Sequence, residues 1–103
     1  MINVGMYYNV KNGHEKEFEE IFSEVVDYLK SNVAGFQKAD IFRKVGENEK
    51  FTEYMIYSEW KDLESFRQFT TAKAFKDTTE YGKSIIEGRP YHKIFSQVVE
   101  DHS

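Results

Sequence analysis

The sequence predicts an α+β fold in which helices cover one face of a four-stranded antiparallel sheet. Four segments alternate in polarity as strands do, and two segments have apolar residues at helical spacing. Their order along the chain, β-α-β-β-α-β, is that of the ferredoxin-like fold. The length of 103 residues predicts a single domain over residues 1–100, with a frayed tail at residues 101–103.

The first predicted strand and helix come from the N-terminal third. Residues 2–10 alternate apolar and polar or small side chains, which is typical of a strand. Asn12 is placed to cap the next helix, with Glu15 as the return arm of a capping box. From Phe18 to Val33, apolar residues recur three and four positions apart, which predicts an amphipathic helix.

The middle of the chain predicts a hairpin. Strands are expected over residues 36–43 and 51–60, and the second is rich in aromatic residues. The polar segment 44–50 between them predicts a turn in which Asn48 is one of the turn formers.

The last third predicts a second helix and a fourth strand. Asp62 is placed as the N-cap, and Phe66 and Phe69 follow at helical spacing. Residues 72–82 continue as a broken helix, and after a loop residues 91–99 form the last strand.

Large apolar groups are expected on both faces of this sheet. In the third strand, Tyr57 points to one side with Phe51 and Met55, and Trp60 points to the other with Ile56. Two helices cover one face only, so the other would leave apolar area in water at a cost of about 25 cal/mol per Å². A homodimer packed sheet to sheet is therefore predicted.

Composition argues against several classes of protein. The net charge is −4 without a basic stripe, which argues against nucleic-acid binding. No apolar run approaches the roughly 20 residues of a membrane span, and the N-terminus lacks a signal-peptide pattern. The chain has no Cys, so neither a thiolate nucleophile nor a disulfide is expected. A cytoplasmic protein is predicted.

Three segments resemble the antibiotic biosynthesis monooxygenase (ABM) domain of the dimeric α/β-barrel superfamily. They are "TEYMIYSEW" (residues 52–60), "DLESFRQF" (residues 62–69) and "GRPYHKIF" (residues 88–95). The resemblance implies a barrel of two sheets, with a pocket between sheet and helices in each protomer. It also implies oxidation of polycyclic aromatic substrates by O₂ without metal or flavin.

Some members of that family degrade haem with an Asn on the first strand, a Trp on the second helix and a later His. Here Met6, Phe69 and Thr79 stand at those positions. The resemblance therefore does not imply haem degradation, and no cofactor or metal is predicted.

Trp60, Phe69, Tyr57 and Phe66 are the predicted substrate contacts. The indole of Trp60 has two compatible interpretations, a plug of the helix–sheet seam or one wall of a ligand pocket. His92 is the candidate catalytic residue, because imidazole is the usual general base at neutral pH and also ligates haem. A partly exposed strand histidine is its structural alternative.

Other candidates have weaker support. Tyr7, Tyr54 and Tyr91 offer hydroxyl groups to a quinol-like substrate, or satisfy one another and the backbone. Arg89 could hold an anion or lie in a surface loop, and the acidic pair Glu19–Glu20 is expected to be a solvated helix face.

The function predicted is thus an ABM-type protein that oxidises or binds a small, mostly apolar aromatic molecule. The alternative is a non-catalytic ligand-binding or stress-related barrel, and haem degradation is disfavoured.

Overall fold

The computed structural model describes residues 1–46 and 50–99. It contains four strands and three helices in these residues, which run β1 (Ile2–Lys11), α1 (Glu15–Asn32), β2 (Phe36–Arg43), β3 (Phe51–Trp60), α2 (Leu63–Thr71), α3 (Lys73–Gly82) and β4 (Tyr91–Ser96). The predicted turn former Asn48 and the predicted tail 101–103 lie outside the described residues.

The strands form one antiparallel sheet in the order β2-β3-β1-β4. This confirms the predicted ferredoxin-like α+β fold. One chain forms an open sheet and not a closed barrel. Closure of the predicted barrel would need a second copy, because the two edge strands β2 and β4 lie at opposite sides of the sheet.

The start of α1 differs from the prediction. The N-cap is His14, and it makes no side-chain capping bond, so the predicted Asn12 cap is wrong. Gly13 adopts a positive φ of 93°, which lengthens the turn and moves the cap position past Asn12. The Glu15 carboxylate still reaches back and accepts the Gly13 N–H at 3.0 Å.

The start of α2 agrees with the prediction. Asp62 Oδ1 accepts the backbone N–H of Ser65 at 2.9 Å and its hydroxyl at 2.7 Å. The predicted broken helix is also confirmed: Ala72 is extended, with ψ of 145°, and separates α2 from α3.

Strand β4 ends at Ser96, earlier than the predicted residue 99. Ser96 pairs with Ile2, the first residue of β1, so the partner strand ends there and the ladder cannot continue. Val98 and Val99 are correspondingly exposed.

The core lies between the sheet and the helices. Its residues come from alternating positions of β1 and β3 and from the inner faces of α1 and α2, and include Val4, Val10, Phe18, Ile56, Trp60, Phe66 and Phe69. The opposite face of the sheet, here called the outer face, has no helix. It carries Tyr7 stacked on Tyr91 at 4.9 Å, together with Phe42 and Phe95, which are each about half exposed.

Candidate functional site

A cavity of about 520 Å³ lies between the helices and the β1–β4 side of the sheet. Residues from α1, α2, α3, β1 and β4 line it, together with the segment 83–90 that connects α3 to β4. The volume falls in the range of roughly 300–1,000 Å³ that is typical of small-molecule sites. The position agrees with the sheet–helix pocket that the resemblance implies.

The inner wall is built largely of aromatic rings. The ring of Tyr8 lies 5.4 Å from that of Phe18 and 5.1 Å from that of Phe22, and all three line the cavity. Phe66 and Phe75 close it on the side of α2 and α3. Offset and edge-on rings of this kind give large contact area to a planar apolar ligand.

Tyr8 supplies a hydroxyl group to this apolar wall. Its O–H is directed at Met6 Sδ, 3.9 Å away, and a thioether is a weak acceptor. Burial raises the pKa of Tyr8 above its usual value, so the phenol keeps its proton at neutral pH. The side chain can therefore donate a hydrogen bond to a ligand oxygen.

Three nitrogen-bearing side chains lie on the exposed part of the wall, here called the rim: Lys83, Arg89 and His92. His92 pairs with Met6 across β1 and β4, and its ring meets that of Phe66 edge-on at 5.5 Å. Lys83 Nζ lies 2.9 Å from Glu80 Oε2. The described cavity lining contains no Asp or Glu, so the charged side chains that line it are basic, and Glu80 beside it offsets the charge of Lys83.

The predicted contacts are only partly brought together. Phe66 and His92 line the cavity. Trp60 is 0% exposed and lies behind the wall, with its ring 5.3 Å from that of Phe66 and its Nε1–H donated to Ser58 Oγ at 2.9 Å. Tyr57 lies on the outer face, where Asn3 Nδ2 donates to its hydroxyl at 2.6 Å. The ligand role predicted for Trp60 and Tyr57 stays a prediction without support from this geometry.

Phe69 lies next to the cavity and not in it. It lines a separate space of about 130 Å³, and the ring of Phe75, 4.6 Å away, borders both spaces. Of the three positions that the resemblance set against the haem-degrading pattern, Met6 and Thr79 line the cavity of about 520 Å³. The Thr79 hydroxyl donates to the Phe75 carbonyl at 2.9 Å.

Of the other polar candidates, Tyr91 and Arg89 line the cavity, whereas Tyr54 and Glu19 bond to each other elsewhere. The Tyr54 hydroxyl donates to Glu19 Oε2 at 2.5 Å and accepts from Arg43 Nε at 3.1 Å, and burial raises the pKa of Tyr54 to about 12. Glu19 also accepts from the Arg43 guanidinium, so it is not merely a solvated helix residue as predicted. This cluster joins α1 to β2 and β3, away from the cavity.

Tyr8 and Lys83 line the cavity but were not among the predicted site residues. A signal existed for Tyr8, because it is the one hydroxyl-bearing ring in the inward-facing row of β1. Lys83 had no local signal, since only the return of segment 83–90 along β1 brings it to the cavity.

The described residues contain neither a cluster of metal ligands nor a helix suited to span a membrane. No group of three or more His, Cys, Asp or Glu residues in 1–46 and 50–99 is placed to hold a metal ion. No described helix has both the length and the apolar character of a membrane span.

Comparison with known proteins gives a family match. The sequence profile of the family described as "Antibiotic biosynthesis monooxygenase" matches residues 1–81. A Natronomonas pharaonis protein named "Putative heme-binding protein" is 33% identical over 89 residues, which are 86% of this chain. The match spans only 14% of that relative's length.

Solved structures share the fold at low sequence identity. A Deinococcus radiodurans protein, described as a "putative antibiotic biosynthesis monooxygenase", superimposes with a TM-score of 0.84 at 7% identity, over 100% of this chain and 98% of its own. SnoaB of Streptomyces nogalater, described as a cofactor-independent oxygenase, superimposes with a TM-score of 0.75 at 17% identity, over 99% and 98%.

Proposed function

This chain belongs to the antibiotic biosynthesis monooxygenase family, and we propose that its cavity binds a small, mostly apolar aromatic molecule and promotes oxidation of that molecule by O₂. The observation that carries the proposal is the cavity of about 520 Å³, walled by rings, whose lining includes the phenols of Tyr8 and Tyr91 and the imidazole of His92. The description of SnoaB as a cofactor-independent oxygenase supports a reaction of this class.

The proposed reaction needs no external reductant, as the probe anthrone illustrates. Anthrone and O₂ give anthraquinone and water: the CH₂ carbon loses two hydrogen atoms and gains one oxygen atom, and the second oxygen atom leaves as water. The substrate supplies all four electrons. A base must first remove a proton from that carbon, so that the resulting enolate can transfer electrons to O₂.

His92 and Tyr8 are the proposed catalytic residues. The imidazole of His92 would accept the substrate proton. The neutral Tyr8 phenol would donate a hydrogen bond to the oxygen on which negative charge develops. Phe66 and the Phe18–Phe22 pair would hold the planar substrate between them.

Oxygen uptake with anthrone tests this proposal. Tyr8→Phe and His92→Gln are expected to lower kcat/KM by about 10-fold to 1,000-fold, in the range of lost oxyanion or general-base assistance. Tyr57→Phe and His14→Gln are matched controls outside the cavity lining and should keep wild-type rates. Binding of anthrone without oxygen uptake above the protein-free rate would instead favour the non-catalytic alternative.

A second candidate function is haem binding, favoured by the printed name of the Natronomonas relative. The donor set of the cavity fits such a group: His92 offers an imidazole to the iron, and Lys83 and Arg89 offer cations to the two carboxylates. Bound haem would supply a redox-active iron, and the chain would orient its planar ring between the aromatic side chains. Thr79 stands where the haem-degrading relatives carry His, so binding is proposed here without degradation.

Titration with haemin separates the two candidates. A Soret shift that is retained in His14→Ala and lost or displaced in His92→Ala would support iron ligation by His92. A spectrum equal to that of free haemin would remove the second candidate and leave the first intact.

We also propose that the chain acts as a homodimer joined through the outer face. The stacked Tyr7–Tyr91 pair, Phe42 and Phe95 form an apolar surface that an antiparallel sheet with one wetted face would not carry. The family match supports this assembly, and the cytoplasm is the proposed compartment.

A further inference from the structure

We propose that the ligand of this cavity is an aromatic carboxylic acid, whose ring system fills the apolar interior and whose carboxylate binds Arg89 at the rim. This inference rests on the proposed ligand site and names the chemical class of its occupant. The shared chemistry is a carboxylate on a planar aromatic system, either a free aromatic acid or a tetrapyrrole with acid side chains.

Arg89 is the cation of the rim that is free to bind. Among residues 1–46 and 50–99, no side chain makes a hydrogen bond or an ion pair with its guanidinium. Several other basic residues of the described chain are paired with acids, as Arg43 is with Glu19 and Lys73 with Asp77. An unpaired guanidinium beside an apolar cavity offers two parallel donors that match a carboxylate.

The charge balance of the rim is opposite to that of the whole chain. The sequence has 18 acidic and 14 basic residues, yet the described lining has two permanent cations, one imidazole and no acid. A carboxylate at the rim would thus be attracted by Arg89, and Glu80 would oppose the attraction only near Lys83, with which it pairs. An amine at the same place would be repelled by Arg89 and Lys83.

Lys83 is the secondary cation. It lies just after the C-terminal end of α3, where the carbonyl groups favour a positive charge, and it is already paired with Glu80. The helix carbonyl groups and the Glu80 carboxylate thus already stabilise the charge of its ammonium group. A ligand carboxylate therefore gains less from Lys83 than from Arg89.

The backbone around Arg89 is constrained in three ways. Segment 83–90 is fastened to β1 by the Lys11 N–H donating to the Ile85 carbonyl at 2.8 Å and by the Glu87 N–H donating to the Asn9 carbonyl at 2.7 Å. Gly88 takes a positive φ of 73° that side chains other than glycine rarely adopt. Pro90 fixes its own φ and limits the backbone of Arg89 before it. Ordering Arg89 on the ligand therefore costs side-chain entropy but little backbone entropy.

Calorimetric binding of anthraquinone-2-carboxylate and its uncharged carboxamide tests the inference. The wild-type protein is expected to bind the acid about tenfold more tightly than the amide, in keeping with one charge-assisted hydrogen-bond pair. Arg89→Gln should remove this preference while leaving amide affinity and the melting temperature unchanged. Lys83→Gln should reduce the preference by a smaller factor.

Arg67→Gln is the matched control, since Arg67 is an exposed cation on α2 that lines neither cavity. It should keep the full preference for the acid. Metal-free protoporphyrin and its dimethyl ester form the second ligand pair, and the pair with the larger Arg89-dependent ratio identifies the source of the carboxylate.

The same measurements test the aromatic site and the carboxylate preference of Arg89 separately. Equal affinity for acid and amide, or a preference that survives in Arg89→Gln, overturns the inference while binding of the amide still supports the aromatic cavity. Absence of binding for every ligand overturns the proposed aromatic site and this inference with it.

Discussion

The indole of Trp60 is held by contacts on several sides of its ring. Its ring meets Phe36 edge-on at 5.2 Å and stacks on Phe69 at 5.6 Å. The Nε1–H bonds to Ser58 Oγ, and the Ser58 hydroxyl in turn donates to the Val4 carbonyl at 3.1 Å. This chain of bonds satisfies the buried polar atoms of both side chains, which favours a structural role for Trp60.

Trp60→Phe is therefore expected to lower the free energy of unfolding by about 1–3 kcal/mol, through the lost hydrogen bond and the space left by the smaller ring. Affinity for an aromatic ligand should change less than twofold, because Trp60 does not line the cavity. Urea unfolding and calorimetry measure the two effects. A folded variant that binds the ligand tenfold more weakly would instead show that Trp60 contributes to the ligand site.

A second single residue, Glu19, makes a contribution to folding stability that depends on pH. Its hydrogen bonds from Tyr54 and then Arg43 lower its pKa below the ordinary value of 4.5. Its ionised form therefore stabilises the fold above the unfolded-state pKa, and this contribution is lost as the pH falls through the lowered value. The Glu19 side chain is 43% exposed, so solvent screening limits the effect.

Urea unfolding between about pH 6 and pH 3 should consequently show a shallower acid loss in Glu19→Gln than in the wild type. Glu20→Gln, the adjacent exposed residue of α1, is the control and should follow the wild-type curve. Equal acid slopes in all three proteins would contradict the assignment.

At the scale of elements, α2 is fixed against the start of β2 by a close approach at Gly35. A Cβ atom added to Gly35 would lie 1.8 Å from Ser65 Oγ and 2.4 Å from Ser65 Cβ. The Gly35 carbonyl also accepts the Lys61 N–H at 2.7 Å. Because α2 carries Phe66 into the cavity wall, this contact helps to set the shape of the site.

Gly35→Ala is expected to destabilise the fold by about 1–3 kcal/mol through this clash. The entropy lost by the unfolded chain would favour Ala by only about 0.4–1 kcal/mol, so the clash decides the sign. Adding Ser65→Gly removes both clashing atoms and should recover part of the loss in a urea-unfolding experiment. A single variant as stable as the wild type would show that α2 moves away at little cost.

At the scale of the whole molecule, the outer face is the feature that one chain leaves unsatisfied. Phe42 is 49% exposed and Phe95 is 52% exposed, on β2 and β4 respectively. Both side chains point away from the helices, so they can be replaced without disturbing the cavity wall.

Light scattering at micromolar concentration is expected to give the mass of a dimer for the wild type and of a monomer for Phe42→Lys/Phe95→Lys, because buried charges oppose the association. Val45→Lys changes a residue that is 95% exposed and outside the strands, and it should remain dimeric. A wild-type mass of 12.2 kDa would reject the proposed dimer.

The sequence alone determined the order of strands and helices along the chain, the Asp62 cap and the break after α2. These features depend on alternation, helical spacing and capping chemistry within about ten neighbouring residues. It also proposed Phe66 and His92 as pocket residues, and both line the cavity, while their contact with a ligand stays a prediction.

Only the tertiary structure decided which groups meet at the cavity. Tyr8 lies on β1, Lys83 after α3, and Arg89 in the segment before β4, so no local pattern relates them. The tertiary structure also places Trp60 in the core, in contact with Phe66, which lines the cavity where Trp60 does not. Local sequence spacing determines the face on which a side chain lies. The packing of elements that are distant in sequence determines which residues that side chain contacts.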